Sequence, residues 1–172
     1  MTLETAYIGA GSNIEPEKNI LEALRLLIPE GLKRVSTVYR TEPFGAPGQP
    51  LFYNCVAEVL TSRPPVELKY AVLRPVELAL GRRRDTENKY SPRQIDLDLI
   101  LYGGFEVSTE GLILPDPDIY TRPFLAIPLL ELTPELVLPG GKVLKELAKS
   151  LDAKGMEELA VYTARIRKEL FG

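Results

Sequence analysis

The chain has 172 residues, 45% of them hydrophobic and 26% charged, with 21 Lys and Arg against 24 Asp and Glu for a net charge of −3. That is the composition of one soluble globular domain with a real core, and it argues against a general nucleic-acid coat protein. There is no histidine and a single cysteine, Cys55, which excludes an intrachain disulfide and every Ser-His or Cys-His nucleophile pair and leaves few ligands for a transition metal. No apolar run approaches the roughly 20 residues of a membrane-spanning helix. The opening MTLETAYIGAGSN lacks a charged stretch followed by an apolar one, so no secretion signal is expected. The expectation is a cytoplasmic monomer with neither nucleic acid nor membrane as a partner.

Residues 5–8 read as a short strand, closed by Gly9-Ala10-Gly11-Ser12-Asn13 as a tight strand-to-helix turn. A helix follows from Pro16, with Ile20, Leu24 and Leu27 at helical spacing and proline in its first turn. Residues 33–40 alternate as β structure. The stretch 41–50, TEPFGAPGQP, is crowded with Gly and Pro and reads as loop. Residues 53–61 form another strand, and 65–80 a helix that Pro75 should kink or split. A basic loop with Arg82, Arg83 and Arg84 leads into a strand ending at Tyr102 and a Gly103-Gly104 turn. Past Leu114 comes a Pro-rich passage, then a helix near 123–132 and two more at 143–151 and 156–171. The order β-α-β-β-α-β over residues 5–102 predicts an α+β fold, a ferredoxin-like βαββαβ sandwich with additional C-terminal helices, in one domain over residues 1–172.

The most informative stretch is KYSPRQIDLDLIL at 89–101. Ile95, Leu97, Leu99 and Leu101 alternate with Gln94, Asp96 and Asp98, so the two carboxylates project from one face of a strand. Taken alone, the pair reads either as metal-binding acids or as the polar face of a half-buried strand. Arg82, Arg84 and Arg93 likewise either grip phosphate or balance those acids. Together they favour a Mg²⁺-polyphosphate site. Phe44, Phe52 and Tyr53 either anchor the long loop or line a slot for a planar ring, with Asn54 offering donor and acceptor groups and Phe124 and Tyr90 adding ring faces. Gly9-Ala10-Gly11 is not a dinucleotide fingerprint, because position 14 is Ile, and no P-loop motif is present.

The blocks AYIGAGSN, VYRTEPFG, QP…YN, ELALGRRR, YSPRQIDLDLILYG, the Leu-Pro step at 114–115 and RPFLAIPLLELTPELVLP span residues 6–139. In that order and spacing they resemble the 6-hydroxymethyl-7,8-dihydropterin pyrophosphokinases of folate biosynthesis. The resemblance implies transfer of the pyrophosphoryl group of ATP to the hydroxymethyl group of the reduced pterin, with release of AMP and with two Mg²⁺ ions as cofactors. It implies Asp96 and Asp98 as the metal ligands. Asn54 would meet the polar edge of the pterin, helped by Thr41, Glu42, Pro43 and Phe44, while Phe52 and Phe124 sandwich the ring and Tyr90 replaces a family aromatic beside it. Arg84 and Arg93 would grip the triphosphate and, with Asp98, act in catalysis. Arg74, Glu77, Lys89, Tyr90, Leu99, Ile113 and Arg122 fall at nucleotide-contacting positions.

Ser91, Gly111, Arg74 and the Asp116-Pro117 pair depart from the family pattern, the last standing where His-Tyr is common. The last twenty or so residues lie outside the resemblance and read as a helical extension. The proton acceptor stays open between Asp98 and water. Two other classes remain to be separated from this reading. A different D-x-D enzyme would release pyrophosphate, and a non-catalytic RNA-binding module would need basic and aromatic residues on its open sheet face.

Overall fold

A computed structural model of the chain describes residues 2–43, 48–82 and 92–172. Its frame is an antiparallel sheet. β1 (Glu4–Ser12), β2 (Leu32–Val35), β3 (Tyr39–Thr41), β4 (Phe52–Thr61), β5 (Asp96–Tyr102) and the late β10 (Glu157–Glu158) all belong to it. The strand order is β10-β3-β4-β1-β5, with β2 also paired to β4. Two small hairpins, β6 (Val107–Thr109) with β7 (Leu112–Leu114) and β8 (Val137–Leu138) with β9 (Lys142–Val143), lie apart from it. The single strand expected over residues 33–40 is two, β2 and β3, both antiparallel to β4, so the order through residue 102 carries one strand more than β-α-β-β-α-β.

Helices cover both faces because the strands carry apolar residues on both. On one face α1 (Pro16–Leu27) buries Ile20, Ala23, Leu24 and Leu27 against Ala6, Ile8 and Ala10 of β1. The same core takes α2, which runs through α-helical Pro65–Glu67, π-helical Leu68–Leu73 and α-helical Arg74–Ala79, and the C-terminal α5 (Ala160–Phe171). On the other face α3 (Pro123–Leu132) and α4 (Leu144–Ser150) pack Ala126, Leu129, Leu144 and Leu147 against Val56 and Ile100. Among the described residues no helix is long and apolar enough to cross a membrane.

Three further expectations are corrected. Gly9-Ala10-Gly11 is not a turn but the body of β1, which continues to Ser12. The interruption expected at Pro75 takes the form of a π segment: the turn preceding the proline widens, and the Arg74 N–H reaches the Lys69 carbonyl five residues back. That wider turn accommodates a proline ring that would clash with an ordinary α turn. The alternation of β5 breaks at Ile100, where the register against β1 jumps from Leu99 to Leu101. Such a bulge sends Leu99 into one core and both Ile100 and Leu101 into the other. Finally, residues 156–159 are not helical. Glu157 and Glu158 pair with Arg40 and Tyr39 at the sheet edge before α5 begins, so an open strand edge overrides helical propensity there.

Candidate active site

β1 and β5 lie side by side with Gly9 opposite Asp98 and Gly11 opposite Asp96. On the α3 side of the sheet these glycines floor a cavity of about 190 Å³. The close approach requires glycine: a Cβ at Gly11 would stand 2.6 Å from Asn54 Oδ1, and one at Gly9 would stand 2.9 Å from Leu125 Cδ2. Phe52 and Phe124 line the cavity together with Thr41, Glu42 and Asn54, and the Asn54 amide Nδ2 donates to the Thr41 hydroxyl at 2.7 Å. Arg93, Arg122, Asp96 and Asp98 complete its polar side. A cavity lined by apolar rings, an amide and a hydroxyl can take a flat, polar-edged heterocycle.

A second cavity, about 270 Å³, opens on the other side of Asp98. Lys69, Leu99, Ile113 and Asp116 line it. Asp98 therefore borders both cavities. Its side chain is open to these spaces, while protein crowds it from the remaining directions. That crowding holds its carboxyl well above the usual carboxylate range, and the negative charges of Asp96, Asp116 and Glu77 push the same way against Arg82. The Asp116 backbone N–H donates to the Ile100 carbonyl at 2.8 Å, which sets this third carboxyl beside β5. Burial raises the Asp116 pKa too, opposed by the Asp118 N–H that its side chain accepts at 2.9 Å.

Asp96 is held by two guanidinium groups, Arg82 Nη1 at 2.6 Å and Arg93 Nη1 at 3.1 Å. Arg82 is itself 8% exposed and its Nη1 also reaches Glu77 Oε2 at 2.5 Å. Glu77, 2% exposed, accepts the Leu97 N–H at 2.8 Å as well. Burial raises the Glu77 pKa, and the Leu97 N–H and Arg82 oppose it. The result is a buried chain of opposite charges, Glu77–Arg82–Asp96, that fixes the start of β5. Asn13 anchors the other side. Its Oδ1 accepts the Arg93 N–H at 2.9 Å, and its Nδ2 donates to Gln49 Oε1 at 3.2 Å.

Of the sequence-derived residues, the structure gathers Thr41, Glu42, Phe52, Asn54, Arg93, Asp96, Asp98, Arg122 and Phe124 around the first cavity, and Leu99 and Ile113 around the second with Asp98. Glu77 lines neither: its carboxylate is taken up inside the protein, with Arg74 on its outer side at 3.3 Å. Pro43 follows Glu42 without lining either cavity. Phe44, Arg84, Lys89 and Tyr90 lie outside the described residues. Sequence reasoning missed Asn13, Lys69, Asp116 and Asp118 as site residues. Asp116 had a signal, since a carboxylate following the Leu-Pro step already departed from the family pattern.

Among the described residues no group of three or more Asp, Glu, His or Cys side chains is gathered tightly enough to hold a metal by itself. What is present is a pair of carboxylates with mutual repulsion and open space beside them.

A sequence model of the family described as 7,8-dihydro-6-hydroxymethylpterin-pyrophosphokinase (HPPK) matches residues 7–134. The chain is 37% identical over 158 residues to the 2-amino-4-hydroxy-6-hydroxymethyldihydropteridine pyrophosphokinase of Methylorubrum extorquens, covering 90% of this chain and 98% of that protein. It is 36% identical to the enzyme of the same name from Pseudomonas aeruginosa, over 91% of this chain and 98% of the other. In fold it is similar to the crystal structure of Plasmodium falciparum HPPK-DHPS wild type with pteroate, with a TM-score of 0.66 at 14% identity, over 98% of this chain and 44% of that one. The present chain thus spans less than half the length of that solved protein. With the family match covering most of its length and near-full-length relatives above one-third identity, the chain belongs to the 7,8-dihydro-6-hydroxymethylpterin-pyrophosphokinase family.

Proposed function

We infer that the chain transfers the pyrophosphoryl group of ATP to the hydroxymethyl group of 6-hydroxymethyl-7,8-dihydropterin, giving AMP and the pterin diphosphate of folate biosynthesis. The observation that carries this reading is Asp98, one carboxylate bordering two cavities of different chemistry. The pterin occupies the first cavity between Phe52 and Phe124, its polar edge on Asn54 and Thr41. ATP occupies the second, against Leu99 and Ile113, with its phosphates directed back toward Asp98. The hydroxyl and the β-phosphorus then meet over β5. We read the frame that carries this site as a ferredoxin-like βαββαβ sandwich with added C-terminal elements. One chain holds both cavities, so a monomer suffices. Cys55, buried and pushed up to about 12, stays a thiol in a reducing cytoplasm.

The donor set fits Mg²⁺. Hard carboxylate oxygens are present, nitrogen and sulfur ligands are not, and Mg²⁺ is commonly bound by one or two carboxylates together with substrate phosphates and water. Asp96 and Asp98 would hold two such ions, and the raised Asp98 pKa marks a place where added positive charge is favourable. When bound, the ions neutralise charge on the polyphosphate. The protein supplies position. Arg93 and Arg122 present guanidinium groups at the polar side of the first cavity, the Glu77–Arg82–Asp96 chain fixes β5, and Asn13 fixes the Arg93 backbone. Holding two reactants in line can remove roughly 7–11 kcal/mol of barrier. Asp98 or a water would accept the hydroxyl proton.

The test is product analysis on purified protein with ATP, Mg²⁺ and the dihydropterin. AMP that forms only with pterin present and disappears with EDTA is the expected result; pyrophosphate or ADP in its place would sink the transfer proposed. Phe124→Ala should raise the KM for pterin by roughly tenfold or more, the scale of losing about 1.5 kcal/mol of ring contact. The KM for ATP should barely move. Equal losses for both substrates would remove Phe124 from the ring slot.

A further inference from the structure

We propose that the C-terminal segment beyond the family match, acting through Thr163, is a positioning element that holds the β3 wall of the first cavity and so sets affinity for the pterin. This rests on the reading of that cavity as the pterin site. β3 is three residues long, and across from it on β4 stand the cavity residues: Thr41 pairs with Phe52 and Tyr39 with Asn54. Thr41 and the following Glu42 are themselves cavity residues. So short an outer strand holds its register poorly with a partner on one side alone.

Residues 155–167 supply the second side. β10 pairs with β3 through Glu157 opposite Arg40 and Glu158 opposite Tyr39, and the Arg40 and Glu157 side chains form an ion pair. The Leu159 N–H donates to the Val38 carbonyl at 2.9 Å. The Val38 N–H in turn donates to the Thr163 hydroxyl at 2.9 Å, which donates onward to the Leu159 carbonyl at 2.8 Å. Thr163 is 3% exposed, so no water replaces it as an acceptor. Arg167 Nη2 closes the clasp on the Val35 carbonyl at 2.8 Å. At the near end the chain turns at Gly155, against which the Glu42 side chain lies: a Cβ there would stand 3.7 Å from Glu42 Cδ. The segment therefore grips the backbone on one side of Thr41 and touches the side chain on the other.

The strand order sharpens the consequence. β10 and β3 stand at one end of the path β10-β3-β4-β1-β5, and the second cavity lies beyond β5 at the other. Loosening β3 should disturb the pterin slot and leave the nucleotide cavity alone.

The experiment compares full-length Thr163→Val with Thr163→Ser. Valine keeps the shape and removes the acceptor for the Val38 N–H, whereas serine keeps the hydroxyl. For Thr163→Val the KM for pterin should rise roughly five- to tenfold, the scale of one lost buried hydrogen bond, with kcat and the KM for ATP unchanged. Hydrogen exchange at the amides of 38–41 should accelerate in the valine variant and return to wild type in the serine variant. Should Thr163→Val fail to fold, Glu157→Gln, which cuts only the exposed ion pair to Arg40, should move the pterin KM in the same direction by a smaller factor. With an active wild type, equal changes in both KM values, or none, overturn the clasp. A wild type that makes no pterin-dependent AMP overturns the reading of the cavity, and the clasp's part in affinity with it.

Discussion

Asp98→Ala should lower turnover by roughly a thousandfold or more, about 4 kcal/mol of transition-state stabilisation, while leaving the fold intact. Asp98 borders both cavities, so its loss removes the carboxylate that the proposed reaction sets between the two substrates. Its effect on stability should be the reverse of its effect on activity. Burial and the nearby charges of Asp96, Asp116 and Glu77 disfavour its ionised form in the folded protein. Removing it relieves that repulsion, and the melting temperature should hold or rise. A group kept at a cost to stability is kept for its chemistry. Magnesium-dependent nucleotide binding, followed by titration calorimetry, should weaken in the same variant. Activity within a few-fold of wild type would remove Asp98 from the reacting centre.

Much of this centre was legible in the sequence because strand periodicity is local. Asp96 and Asp98 two residues apart on a β pattern must share a face, and they do. The Phe52, Asn54 and Phe124 slot followed from the family resemblance, and the structure brings those three together from β4 and α3. What stayed hidden depends on pairing between distant segments. Nothing local says that Gly9 and Gly11 lie within a strand, since their role is fixed by Leu125 and Asn54 across the cavity. The bulge at Ile100 reflects the fit of β5 to β1 and leaves no mark in the alternation of Leu97, Leu99 and Leu101. Residues 156–159 carry helix-compatible side chains, yet Glu157 and Glu158 among them were drawn into a strand by the open edge of β3. Glu77 shows the limit of carrying a role over by position: the residue is where the family pattern puts it, yet its carboxylate faces Arg82 and the Leu97 N–H inside the protein.

That buried chain of charges sets the second large expectation. Arg82→Met should destabilise the protein by about 3–5 kcal/mol, the usual loss when one member of a buried ion pair is removed. Glu77 is 2% exposed and would lose its 2.5 Å contact with the Arg82 guanidinium, its Leu97 N–H bond and the Arg74 contact at 3.3 Å staying in place. The charge, not the lost packing, should carry the effect, because methionine fills much of the volume of the arginine stem. Adding Glu77→Gln should therefore recover part of the stability that Arg82→Met loses, a coupling that a double-mutant cycle in urea would read directly. Activity should follow a different course. Asp96 retains Arg93 at 3.1 Å but loses its shorter contact with Arg82 at 2.6 Å, so the double variant should fold well and still bind nucleotide with magnesium less tightly. Additive losses in the cycle would mean that Arg82 stabilises the start of β5 by packing alone, and that the Glu77–Arg82–Asp96 chain has no energetic unity.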